Sequence, residues 1–232
     1  MIAYRLSARA AALALPMLLT CLAAPPAAAG AAWSGQIGAS TDYVSKGVSK
    51  TNGDPQLWGR LEAAHGGAYA GAWASNVELS QRSDAELQVY VGRRAKAFGY
   101  ALDVSAFYKT FPGTRDGVDE DLVEFRADAA RAFGPVQARL RAEWTPDNFG
   151  AARQALWVEG RLGLNISAQT EVSGALGRRE QAGGADYLAW NLGVKQVLAP
   201  HLSADLRWCD TDGHRLGDNY RGRLTAGLTA SF

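Results

Sequence analysis

An alternation of period two, recurring in segments of about ten residues, constrains this chain more than any other feature. In "VQARLRAEW" (136–144), one phase is Val136, Ala138, Leu140, Ala142 and Trp144. The other is Gln137, Arg139, Arg141 and Glu143. Successive side chains of a strand point to opposite faces, so one face here is apolar and the other polar. "LVEFRADAA", "LWVEGRLGL", "YLAWNLGVKQV" and "RLTAGLTASF" repeat the pattern. The alternation predicts about twelve strands. They fall near 33–43, 55–65, 68–78, 85–95, 98–109, 121–132, 136–146, 154–164, 168–178, 186–197, 201–211 and 221–232. Short links such as "HGGA" and "AFGP" alternate with long polar ones such as "VSKGVSKTNGDP" and "TFPGTRDGVDED". That rhythm predicts an antiparallel up-and-down meander with tight turns on one rim and larger loops on the other.

The apolar phase decides between a water-soluble and a membrane barrel. It is full of Ala, Gly and Leu, too small in many strands to interdigitate as a core. A closed barrel leaves no backbone group unpaired in lipid. The tryptophans and tyrosines gather near strand ends, and Trp33, Tyr43, Trp58, Trp73, Tyr108, Trp144 and Trp208 are assigned to interfacial girdles. The expected fold is all-β: a transmembrane antiparallel up-and-down β-barrel of about 12 strands over residues 30–232. Residues 1–29 read as a cleaved secretory signal peptide. Arg5 and Arg9 precede a short apolar run and small-residue A-x-A sites. Beyond it Cys209 is the one cysteine, so no intrachain disulfide is expected. Gly227, Ala230 and Phe232 are spaced like the signal read by the outer-membrane barrel assembly machinery.

The first hairpin, "TDYVSKGVSKTNGDPQLWG" followed by "HGGAYAGAWASNV", resembles the TorF-family porins, also called the Gcw_chp family. Tyr43, Gly47, Ser49, Pro55, Gly59, His65, Gly67, Tyr69, Gly71, Trp73, Ser75 and Asn76 carry the likeness. "YKTFPG", "EFRADA", "DYLAWNLGV" and "CDTD" are similar to weaker downstream motifs. Lys46 stands where arginine is expected. The resemblance implies an outer-membrane β-barrel porin of a Gram-negative bacterium, exported through the periplasm.

Catalytic readings find little support. Lys50-Thr51 lacks the preceding glycine of a phosphate loop, and a strand follows it rather than a helix. His65, His201 and His214 are assigned to separate turns and loops, too far apart for a metal cluster. Ser75-Asn76 falls about one barrel height from His65, which disfavours a lipid hydrolase. No enzyme activity, cofactor or metal is expected. The 24 Lys+Arg against 23 Asp+Glu leave no basic footprint for nucleic acid. Lys46 and Lys50 are placed on a surface loop, meeting lipopolysaccharide, steering anions, or simply solvated.

Specificity is expected in the lumen. The phase assignment points inward Arg60 and Glu62, Asp103, then Glu124, Arg126 and Asp128. It continues with Arg139, Arg141 and Glu143, then Glu159 and Arg161, then Glu171, Lys195, Arg207 and Arg223. Arg126 should lie near Glu143, Asp128 near Arg141, and Arg161 near Glu171. Such pairs would lock a narrow barrel. Alternatively Arg126, Arg139, Arg141 and Arg161 form an anion track. The reading from residues is passive diffusion of small hydrophilic solutes. A non-conducting barrel that binds lipopolysaccharide and a lipid-modifying enzyme are the alternatives.

Overall fold

A computed structural model describes residues 30–149 and 153–232. The expected signal peptide lies outside the described residues. The strands are β1 (Ala32–Ser40), β2 (Val44–Ser45), β3 (Val48–Ser49), β4 (Gln56–His65), β5 (Ala68–Asn76), β6 (Ala85–Ala97) and β7 (Tyr100–Thr110). They continue as β8 (Asp121–Phe133), β9 (Val136–Thr145), β10 (Ala155–Asn165), β11 (Thr170–Gln181), β12 (Tyr187–Ala199), β13 (Leu202–Thr211) and β14 (Arg223–Ser231). Among the described residues all but β2 and β3 form one closed antiparallel barrel of 12 strands. Chain neighbours pair around it, and β1 pairs β14 across the seam. The backbone pairing continues to Phe232, whose N–H donates to the Gly35 carbonyl at 2.9 Å.

The barrel strands are 9 to 13 residues long, the length needed to cross a bilayer at a tilt. Tight turns join one rim, here called lower. At the turn between β6 and β7, Phe98 and Gly99 have φ 54° and 79°, the two positive values of a primed hairpin turn. Loops of five to fifteen residues crown the upper rim.

The molecule is inside-out relative to a water-soluble fold. Leu162, Leu192 and Leu224 are each at least 60% exposed on the outer face, whereas the largest fully buried side chain is Glu86. Taking such a leucine out of water is worth roughly 1.5–3 kcal/mol, so a belt of them is stable only in lipid. The opposite phase faces inward, where charged groups pair with one another.

The expected strand positions hold to within a few residues at most ends. The first strand is shorter than expected, ending at Ser40 rather than 43. There the chain leaves the barrel wall and turns into the lumen.

Candidate functional site

The first long loop is a small hairpin, and its sequence explains its shape. Lys46 and Gly47 sit at its tip with φ 54° and 81°, a two-residue primed turn that joins β2 to β3. Ser45 pairs with Val48 and Val44 with Ser49. At the base, the Lys50 N–H donates to the Tyr43 carbonyl at 2.7 Å. Asp42 holds this base: one carboxylate oxygen accepts from Ser49 Oγ (2.7 Å) and Thr51 Oγ1 (2.8 Å). The other oxygen accepts from Arg223 at 2.7 Å.

The hairpin folds across the lumen. Gly47 lies so close to Thr211 and Ala189 that a Cβ there would fall 2.8 Å from Thr211 Cγ2. Close approach and positive φ both demand glycine. Val48 packs against Trp157, Tyr187 and Ala189, with Leu216 and Tyr220 beside it. The Lys46 ammonium reaches Glu124 on β8 at 2.8 Å and Glu143 on β9 at 2.6 Å. β9 stands six places from β1 in the ring of 12, so this contact is on the far wall. Lys50 reaches Glu86 on β6 at 2.8 Å. Burial, with the Glu86 carboxylate adding to it, holds the Tyr43 phenol well above its ordinary pKa, so it stays neutral. Lys46 and Lys50 are therefore ion-paired inside the lumen rather than solvated or turned to lipopolysaccharide, two of the three placements that the sequence left open. The wall offers them buried carboxylates, which would be costly to leave unpaired.

Below the hairpin, β6 to β11 carry an ion-pair network. Lys109 meets Glu124 at 2.7 Å and Arg126 meets Glu143 at 2.7 Å. Arg141 forks onto Asp128 at 2.8 and 2.9 Å, the bidentate geometry that fixes direction as well as energy. Arg139 meets Glu159 at 2.6 Å, and Arg161 pairs with Glu171 and with Ser173 at 2.9 Å. The registers Arg126↔Glu143 and Asp128↔Arg141 place two of these pairs directly across the β8–β9 hairpin. A second knot joins Glu62, Arg60, Arg94 and Asp103, with Arg94 donating to Glu62 at 2.7 and 3.1 Å. Each arginine of the suggested anion track thus has a carboxylate partner. Lys195 is exposed toward the lower rim, directly opposite Glu171 in the β11–β12 register.

The other side of the lumen is different. The inward positions of β1 and β14 include Gln36, Gly38, Ser40, Thr225, Gly227, Thr229 and Ser231. These side chains are uncharged and mostly short; Arg223, at the upper end of β14, is charged and held by Asp42. Beside them, between β13 and β5, opens a cavity of about 340 Å³. At its edge Arg207 pairs with Asp205, its neighbour on the same face of β13, at 2.9 Å and donates to Asn191 on β12 at 2.7 Å.

The aromatic assignment needs correcting at three positions. Trp58 has the parity of Arg60 and Glu62 and lines the cavity, as does Trp73, which pairs in register with Arg60. Tyr43 lies inside as well, 5.6 Å from the Trp73 ring between centroids. Nearness to a strand end sets depth but not face, and parity sets the face. Trp33, Tyr108, Trp144 and Trp208 are exposed on the outside. Phe232 also lies outside with its ring over Gly35. Cys209 is a buried free thiol.

The family model described as "Bacterial protein of unknown function (Gcw_chp)" matches residues 24–227. The chain belongs to the Gcw_chp family. No curated protein sequence matches it. Among solved structures, this Gcw_chp chain is similar to the KdgM porin, with TM-score 0.59 at 9% identity over 86% of this chain and 99% of that one. It is similar to the NanC porin, with TM-score 0.53 at 12% identity over 87% and 99%. It is similar also to the COG4313 outer membrane channel from Pseudomonas putida F1, with TM-score 0.51 at 13% identity over 90% and 97%. At such identities the likeness is one of fold: this Gcw_chp barrel has the architecture of outer-membrane porins and channels.

Proposed function

We propose that this barrel is an outer-membrane channel for passive diffusion of small hydrophilic solutes, its aperture narrowed by the first loop. The observation that carries the reading is the hairpin laid across a polar lumen, with Lys46 held by Glu124 and Glu143 on the far wall. A barrel locked shut needs no such device, because the ion pairs of β6 to β11 already fill that side. The opposite side, where Ser, Thr and Gly of β1 and β14 face a cavity shared with Trp58, Trp73 and the matched Arg207–Asp205 pair, leaves room for water and solute. The pore-lining set read from sequence divides accordingly. Its paired charges shape the channel wall, and its near-neutral sum favours weak ion selectivity.

On this reading the chain is made with the 1–29 leader, crosses the periplasm, and is inserted by the barrel assembly machinery through Gly227, Ala230 and Phe232. The upper loops then meet lipopolysaccharide. The chemistry is transport, with no catalytic residue.

Planar-bilayer recording of the refolded protein tests this. Discrete conductance steps are expected. Replacing Val44–Ser49 by two glycines should raise the unit conductance roughly twofold or more, because a constriction dominates the resistance of a pore. Absence of steps in both proteins would favour a closed structural barrel. Steps unchanged by the deletion would remove the hairpin from the account.

A further inference from the structure

The cavity beside β1 and β14 has a lining that diffusion alone does not require. Gly38 is the reason the Trp58 ring lies where it does. A Cβ at residue 38 would sit 2.5 Å from Trp58 Cε2 and 2.6 Å from Cζ2 and Nε1. The indole is therefore laid on bare backbone of β1, and its free side looks into the cavity. Trp73 and Tyr43 stand beside it, tilted 55° to each other. Across from these rings, Arg207 and Asp205 form a two-contact pair at 2.9 and 3.1 Å. Asp205 is 37% exposed there and keeps lone pairs free beyond those Arg207 uses. Gln56 completes the upper edge, fixed between Ser40 and Ser75.

We propose that this cavity is a binding subsite for an uncharged saccharide, resting on the channel reading above. The C–H face of a pyranose ring is slightly positive and apolar, and it meets the negative face of an indole favourably. Its hydroxyls are both donors and acceptors in a ring plane, which suits a fixed Asp–Arg pair at the opposite edge. An aromatic wall with a few convergent polar groups is the general form of a small-molecule site. Charge selects against an acidic sugar. Arg207 is already matched by Asp205, and the other lining charge, Asp42, is matched by Arg223. No uncompensated cation faces the cavity among its described lining residues.

The test is an equilibrium titration of the refolded protein in detergent micelles with maltose and, separately, with digalacturonate, followed by tryptophan fluorescence. It does not depend on conduction, so failure here is distinct from failure of the channel. Saturable binding of maltose is expected, with digalacturonate weaker. Trp58→Ala should weaken maltose binding roughly three- to tenfold, the worth of one aromatic contact. Gly38→Ala keeps the ring but pushes it off the wall, and it should weaken binding also. That variant keeps the test alive if Trp58→Ala fails to fold. Trp144→Ala on the outer face should leave the affinity unchanged. No saturable maltose binding, tighter binding of digalacturonate, or an affinity untouched by both inner-wall changes would overturn the proposal.

Discussion

The two sides of the lumen solve the same problem in opposite ways. Both must present polar groups inside a closed wall with little water-free core. From β6 to β11 the chain fills the space with long charged side chains and ties most of them to an opposite charge, with Arg179 held by the Gln181 amide. On β1 and β14, below Arg223 at the upper end, it uses mostly residues too short to reach across, and the space stays open. The first side resembles an interior whose packing is electrostatic. The second resembles a channel wall. On the proposed reading rigidity and passage fall to different strands, and the hairpin tip is anchored on the charged side while its base borders the open one.

The largest effect that should separate the two sides is on stability. Glu124→Ala with Glu143→Ala would leave Lys46, Lys109 and Arg126 without their carboxylates, at a cost of about 3–5 kcal/mol as for other broken buried pairs. Thr225→Ala with Thr229→Ala on the open side should stay within about 0.5 kcal/mol. Urea unfolding in lipid vesicles compares them, and equal losses would dissolve the distinction. Next comes Asp42→Asn, which weakens the hairpin base by about 1.5–3 kcal/mol, the range for hydrogen bonds to charged groups. Its readout is a noisier or larger open-channel current at little change in barrel melting. An unaltered current would place the hairpin's anchorage at Lys46 alone. Smaller again is Asp128→Asn, which strips compensation from Arg141 and Arg139. The reversal potential in a salt gradient should move toward anion preference, and a shift toward cations would mean that those arginines do not face the ion path. The smallest is Arg221→Ala, in an exposed pair with Asp218. No change in melting or conductance is expected for it.

Much of this was legible in the sequence. Period two placed every barrel strand because lipid and lumen impose opposite polarity on alternate residues. The pairs Arg126–Glu143 and Asp128–Arg141 followed from counting back from a tight turn. The inward face of Trp58 was also readable, since it shares parity with Arg60 and Glu62. Proximity to the strand end was the misleading cue there. Trp73 was harder, because "AYAGAWASN" carries no charge to mark its inner phase, and only pairing with β4 settles it. The course of the first loop was not legible. Lys46-Gly47 announces a primed turn, yet nothing local says whether the turn points to solvent or to carboxylates on strands much later in the chain.

That loop also bears on how the molecule is made. The hairpin belongs to the first link of the barrel, but Lys46 docks on a residue 78 positions downstream, and Gly47 rests against Ala189 and Thr211 further on still. Its seat does not exist until most of the wall has been laid down. A segment synthesised among the earliest must therefore wait, unsettled, until among the last, and such long-range closure is slow. Seating of the hairpin would then be a late step of assembly, one that reports on completion of the ring around it.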